Sequence, residues 1–275
     1  MKYIVSDDGD LIKFLVSRGL GKNKIKNFVK LGFVYVNGKR VNKLPIRVIG
    51  NDCVVIKKED KYQEFDILYE DNNYLIVDKE NGLLTISSGK DNDEDTLYKR
   101  VRYYLNKKHE YCFIVNRIDK ETSGIVLFVK NEKLKNSLQS DWNNIVKSRR
   151  YIAIVSGKLC KSGRIDNYLY EDKMTFSHST KIGGKRAITN YKPIKYNNKY
   201  TMLDINIETG RKNQIRVHLS EMGYPIIGDK KYHCKDNSLK RLCLHHYELS
   251  FVNPIDGKLL TVRSEVPDEF NSLFS

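Results

Sequence analysis

From residue 65 onward the chain is marked by short apolar runs of strand length rather than by long helical stripes. The runs are Ile67–Tyr69, Tyr74–Val77, Ile125–Val129, Tyr151–Val155 and Met202–Ile207. Runs this short, bounded by polar turn residues, suit strands buried in a sheet. Helical spacing is confined to two stretches, near residues 95–106 and 131–147. Strands and helices in mixed order predict an α+β domain with a mixed, largely antiparallel sheet. No internal repeat is present, and no low-complexity segment is longer than a few residues.

The first 60 residues read differently. Leu11, Ile12, Leu15 and Val16 sit at helical spacing behind Asp8 and Asp10, which can cap a helix start. Gly19 and Gly21 break that helix, and Ile25, Phe28 and Val29 form a second stripe. Lys22, Lys24, Lys26 and Lys30 lie largely off the stripe. Phe33–Val36, then Asn37-Gly38, then Lys39–Val41 spell a hairpin, because both turn residues tolerate positive φ. The charge run Lys57–Lys61 lacks apolar periodicity and suits a linker. The predicted division is therefore 1–60 and 61–275.

Charge reinforces that division. The chain carries 49 Lys+Arg against 34 Asp+Glu, a net charge of +15. Residues 1–60 hold 13 Lys+Arg and 6 Asp+Glu, so nearly half of the excess falls in the first fifth of the chain. Such a balance points first to nucleic acid and second to an anionic membrane surface. Helix, helix and hairpin with lysines beside the second helix resemble the S4-type RNA-binding domain. The resemblance implies that Lys22, Lys24, Lys26 and Lys39 meet RNA phosphates, contacts that set affinity without reading sequence.

The segment richest in chemistry is Val115–Gly124, VNRIDKETSG, running straight into an apolar strand. A polar loop fixed from beneath by a strand suits an active site. Asp119 is flanked by Arg117 and Lys120, and Gly124 permits a tight bend. By spacing alone the stretch reads first as a salt-bridged surface loop.

Further segments reverse that order. Tyr151–Gly157 reads YIAIVSG, Ala187–Thr189 reads AIT, and Glu208–His218 reads ETGRKNQIRVH. Gly223–Asp229 reads GYPIIGD and Arg241–His245 reads RLCLH. In this order, behind Ile67–Asp71 and Leu75–Lys79, they resemble the RluA/RluD-type pseudouridine synthases over about residues 65–265. The resemblance implies a pseudouridine synthase fold and isomerisation of uridines in structured RNA, most often large-subunit ribosomal RNA, with transfer RNA second. It implies Asp119 as the catalytic carboxylate, Arg216 as its paired cation and Tyr151 as the face against the flipped-out uracil, with proton transfer at C5 as a second role open to Tyr151. It implies that Arg117 fills the gap left by the flipped nucleotide and that Leu244 packs beside the base.

These residue types match the reaction. Breaking the N1–C1′ bond builds positive charge on the sugar, which a carboxylate stabilises or captures; alternatively it removes the C2′ proton to give a glycal. A buried carboxylate stays ionised only beside a cation. A flat aromatic face holds the base while it turns. Substrate and product are isomers, so no cofactor is expected.

Three positions depart from the family pattern. Asn116 and Asn213 stand where it usually has His, and Glu80 follows Lys79 where it has Pro. The His-to-Asn changes keep a hydrogen-bonding side chain and lose a titratable one. The alternative reading is a non-catalytic RNA- or ribosome-binding protein with a degenerate synthase domain. A glycosylase that releases the base is a third. Five scattered cysteines without a C-x-x-C pair, and a start lacking a long apolar run, predict reduced thiols and a cytoplasmic protein that uses no membrane; the default expectation for oligomeric state, which the sequence does not carry, is a monomer. His233-Cys234 and Cys243-x-His245 fit no standard metal-ligand spacing, so no metal is expected. Gly183-Gly184-Lys185 lacks the spacing of a P-loop.

Overall fold

The computed structural model describes residues 1–30, 32–56, 65–87, 94–172, 176–180 and 183–274; the Lys57–Lys61 linker reading lies outside them. Contacts divide the chain into two units, Met1–Glu64 with Ile86–Lys108, and Phe65–Thr85 with His109–Ser275.

The first unit contains β1 (Lys2–Ile4), β2 (Gly9–Asp10), α1 (Leu11–Ser17), α2 (Lys22–Lys30), β3 (Val34–Val36), β4 (Lys39–Arg40), β5 (Arg47–Val48), β6 (Cys53–Ile56) and α3 (Leu97–Lys107). Asp10 caps α1, its carboxylate accepting from the Ile12 and Lys13 amides. Asn37 and Gly38 take φ of 49° and 78°, the turn their sequence demands. Four strands pair in the order β1-β6-β3-β4. Leu11, Leu15, Ile25, Phe28 and Val34 fill the core between that sheet and the helices, and Tyr103 of α3 meets Phe33 edge to face at 5.6 Å.

The second unit contains β7 (Asp66–Glu70), β8 (Tyr74–Lys79), β9 (Phe113–Ile114), β10 (Ser123–Val129), α4 (Glu132–Ser140), α5 (Trp142–Ile145), β11 (Val146–Ser156), β12 (Gly163–Glu171), β13 (Ser177–Thr180), β14 (Lys185–Tyr196), β15 (Tyr200–Ile207), α6 (Gln214–Glu221), β16 (Leu244–Val252), β17 (Leu259–Arg263) and a final 3₁₀ helix (Asp268–Phe274). The main path of its 11-stranded sheet is β13-β12-β14-β15-β11-β16-β10-β8-β7, with β17 beside β16 and β9 beside β10. Among the described residues its pairs are antiparallel except β10 with β16, so the α+β class and the largely antiparallel sheet read from sequence are as found.

That parallel junction explains Gly124. It takes φ of 112°, and a Cβ there would lie 2.2 Å from the His246 carbonyl oxygen. No side chain fits between two backbones this close, and an L-residue is strained at that φ. Gly124→Ala is therefore expected to cost about 3 kcal/mol or more. Urea unfolding checks this; a loss under about 1 kcal/mol would show that the junction can open.

Candidate active site

The loop between β9 and β10 carries Asp119, and the chain following β8 clamps that loop. Lys79 is fully buried at the end of β8, and its Nζ donates to the carbonyls of Glu80, Leu83 and Lys120 at 2.8, 2.7 and 3.0 Å. Burial pushes its ammonium down to about 7. Thr85 Oγ1 donates to the Ile118 carbonyl at 2.6 Å, and the Asn81 amide reaches the Glu121 carbonyl. Thus Ile118, Lys120 and Glu121 are all held by residues 79–85. Sequence reasoning missed this role of Lys79; its signal is a lysine closing a run of buried apolar residues.

Asn116 faces the next strand. Its Oδ1 accepts from the Leu127 amide at 2.8 Å, satisfying a donor of β10. Asn213 precedes α6 at φ 54°, a left-handed conformation that asparagine tolerates, and its Oδ1 accepts from Arg216 Nη1 at 3.3 Å. Both departures from the family pattern therefore carry local structural work.

A cavity of about 530 Å³ opens over this loop. Arg117, Asp119, Tyr151, Arg216 and Leu244 all line it, brought together from the loop, β11, α6 and β16. Arg149, Arg211, Lys212 and Asn213 line it as well. Among the described residues, Asp119 is the single acid beside five lining cations. Lys22, Lys24, Lys26 and Lys39 belong to the other unit, where all four are exposed.

Arg216 is 3% exposed and is held from several sides. Its Nε and Nη2 donate to the two Asp229 oxygens, both at 2.7 Å, and Nη2 reaches Glu121 at 2.9 Å. Its Nη1 stands 3.8 Å from Asp119 Oδ2. Burial opposes the guanidinium charge, but the carboxylates around it, Asp229 foremost with Asp119 and Glu121, together outweigh it and hold the pKa above the usual value. Arg216 thus pairs most closely with Asp229 and presents one edge to Asp119 at longer range. The sequence reading named Arg216 but gave Asp229 no role, although Asp229 ends the GYPIIGD segment. A fully buried aspartate in a loop needs a partner, and here it is the arginine.

The Asp119 side chain is 29% exposed, toward the cavity. Desolvation raises its pKa, while Arg216, Arg117 and Lys231 pull it back and Asp229 adds repulsion. Net elevation means that the free site resists carrying this negative charge. A carboxylate so placed is reactive toward a cationic centre that enters the cavity.

Tyr151 is 7% exposed and stacks on the buried His246, ring centroids 4.4 Å apart at 14°. His246 Nδ1 donates to the Ile125 carbonyl at 2.8 Å, which fixes the lower ring. Burial pushes the imidazole down to about 4, so it is neutral at neutral pH. The β11–β16 register shifts between Arg150 and Tyr151, and such a bulge re-aims the next side chain. Burial also raises the Tyr151 phenol above its usual pKa, so it stays protonated.

Among the described residues no cluster of His, Cys, Asp or Glu could hold a metal ion, and no helix is long and apolar enough to cross a membrane. The site can therefore offer a carboxylate, a fixed cation, a flat face and a basic rim.

The model of the RNA pseudouridylate synthase family matches residues 73–221. An uncharacterized RNA pseudouridine synthase of Bacillus subtilis (strain 168), YhcT, is 33% identical over 222 residues, covering 78% of this chain and 72% of its own. Ribosomal large subunit pseudouridine synthase D of Yersinia pestis is 28% identical, covering 92% of this chain and 86% of its own. Among solved structures, human RNA pseudouridylate synthase domain containing 1 superposes with a TM-score of 0.62 at 21% identity, covering 76% of this chain and 86% of its own. That last likeness speaks for the fold.

Proposed function

Because the chain belongs to the RNA pseudouridylate synthase family, and is a pseudouridine synthase, we propose that Asp119 is the carboxylate that acts at the ribose of a flipped-out uridine. The observation that carries this is Asp119 facing a cation-lined cavity with Arg216 fixed 3.8 Å away. RNA entering the site brings a base that stacks on Tyr151, while Leu244 borders it. Arg117, exposed at the cavity, takes the place the base leaves in the RNA. As the N1–C1′ bond weakens, positive charge grows on the sugar, and Asp119, whose burial raises its pKa, regains from that partner the charge stabilisation that desolvation took away. Asp119 then either bonds to C1′ or removes the C2′ proton; both routes need it ionised.

Residues 1–60 are proposed as the S4-like RNA-binding domain and residues 61–275 as the catalytic domain, with Ile86–Lys108 lent to the first unit. Large-subunit ribosomal RNA is the proposed substrate, since the relative from Yersinia pestis is named for that subunit and aligns over 92% of this chain. The proposed setting is the cytoplasm, with the protein acting as a monomer.

The test is incubation with ribosomal and transfer RNA transcripts tritiated at uracil C5. Isomerisation releases tritium to water while strand and base stay attached. No release of tritium to water from any RNA would remove the proposal; label leaving instead as free tritiated uracil would make the protein a glycosylase. For the N-terminal module, replacing Lys22, Lys24, Lys26 and Lys39 by alanine in the full chain should weaken RNA binding. The slope of log K against log salt should flatten by about 3 units, since each phosphate contact contributes roughly 0.7–0.9. An unchanged slope would contradict their phosphate role.

A further inference from the structure

Two adjacent arginines on β11 have opposite surroundings. Arg150 has a side chain 38% exposed and is paired with Asp204. Arg149 is 8% exposed and lines the cavity two residues before Tyr151. Among the described residues no carboxylate lies within 4.0 Å of the Arg149 guanidinium. Its Nη2 donates to the Glu208 carbonyl at 2.6 Å, and its Nε is buried without an acceptor. Its Nη1 rests on Gly210, where a Cβ would come within 3.0 Å. Stability alone favours the reverse, because a buried cation is costly without a counter-charge. Burial pushes this guanidinium below its usual pKa, and Arg211 adds repulsion.

A cation without a carboxylate inside a reaction cavity stabilises negative charge that appears there. The backbone phosphates of RNA are one source. They remain solvated, and the exposed Arg117, Arg211 and Lys212 suit them. Arg149 is buried on the strand of Tyr151, which points to the base instead.

We propose that Arg149 is a catalytic residue that donates to a carbonyl oxygen of the flipped uracil and takes up the charge of the departing base. This role rests on the isomerase reading above. When the N1–C1′ bond breaks, its electron pair stays with uracil, and the negative charge spreads from N1 onto O2 and O4. Asp119 meets the charge left on the sugar, and Arg149 meets the charge left on the base. C5 then forms the new bond to C1′, loses its proton, and N1 gains one, so the product is an isomer. Uracil is neutral on arrival and anionic only after cleavage begins. The interaction therefore belongs to the rate rather than to binding.

The test compares wild type with Arg149→Met on RNAs carrying uridine or 5-fluorouridine at the target. Loss of the original nucleoside is followed in single turnover by nuclease digestion and mass spectrometry. On uridine the variant should be slower by about 100-fold, as for loss of one charge-stabilising donor, with RNA affinity within about threefold. Fluorine at C5 withdraws electrons and makes the base a better leaving group, so the deficit should shrink by at least about threefold. Arg149→Lys, which keeps a cation, should recover part of the rate and carries the same comparison if the Met variant does not fold.

Equal deficits on both RNAs would reduce Arg149 to a structural role and overturn the proposal. So would an unchanged rate at saturation with weaker binding and a flatter salt slope, the signature of a phosphate contact. Absence of turnover by the wild type would overturn the isomerase reading and this role with it; turnover with equal deficits overturns this role alone.

Discussion

Replacing Asp119 by asparagine is expected to abolish isomerisation, by about 10⁴-fold or more, while RNA affinity stays within about threefold. The change keeps the shape that sits beside Arg216 and removes the charge that reacts. Its effect on stability should have the opposite sign from that of an ordinary ion pair. The folded-state pKa of Asp119 is raised above its ordinary value of 3.8, so its charge opposes folding at neutral pH. That opposition is absent below 3.8, grows as pH rises from there, and is complete above the folded-state pKa. The Asp119→Asn substitution removes it, so the melting temperature should be unchanged or higher. An inactive variant that also melts several degrees lower would mean that Asp119 is structural.

The same shift sets the pH profile. The ionised carboxylate is the reactive form, so kcat/KM should fall as pH falls through a pKa above 3.8. An acid limb at or below the ordinary aspartate value would show that the free site is better solvated than its surroundings imply.

Replacing Asp229 by asparagine carries the second large effect. Two hydrogen bonds of 2.7 Å from Arg216 lose their charged acceptor, and the guanidinium stays buried. Breaking a buried pair from one side typically costs about 3–5 kcal/mol, and the loss should be read by urea unfolding. Glu121 and Asp119 remain beside Arg216 and hold the cost below that of a wholly unpaired charge. The neighbouring negative charge that raises the pKa of Asp119 also disappears, so the acid limb should move to lower pH. A stable variant with an unmoved limb would separate Asp229 from the catalytic electrostatics.

The legible parts of the fold are those where one residue type is forced. The run Ile125–Val129 is buried throughout, so it reads as an unbroken apolar strand. Asn37-Gly38 permits little but a tight turn, and Asp10 caps the helix its position announces. The strands Gly163–Glu171 and Lys185–Tyr196 were not legible, because most of their side chains face outward and are polar. A sheet exposed in this way leaves weak apolar alternation for a reader to find.

The site divides along the same line. Asp119, Tyr151 and Arg216 were legible through the ordered segments that carry them, and the sequence by itself determined the reaction class those side chains can serve. It could not determine which charges offset which. Arg149 and Arg150 are identical letters in one strand, yet one is buried without a carboxylate and the other is paired with Asp204. Arg216 stands nearer in sequence to Asp229 than to Asp119, but only the tertiary fold decided that Asp229 holds it and Asp119 faces its Nη1 edge at longer range. The reason is physical. Residue type fixes what a group can donate, accept or ionise, whereas burial and distance fix the energy of doing so. Both arise only when segments far apart in the chain close around one cavity.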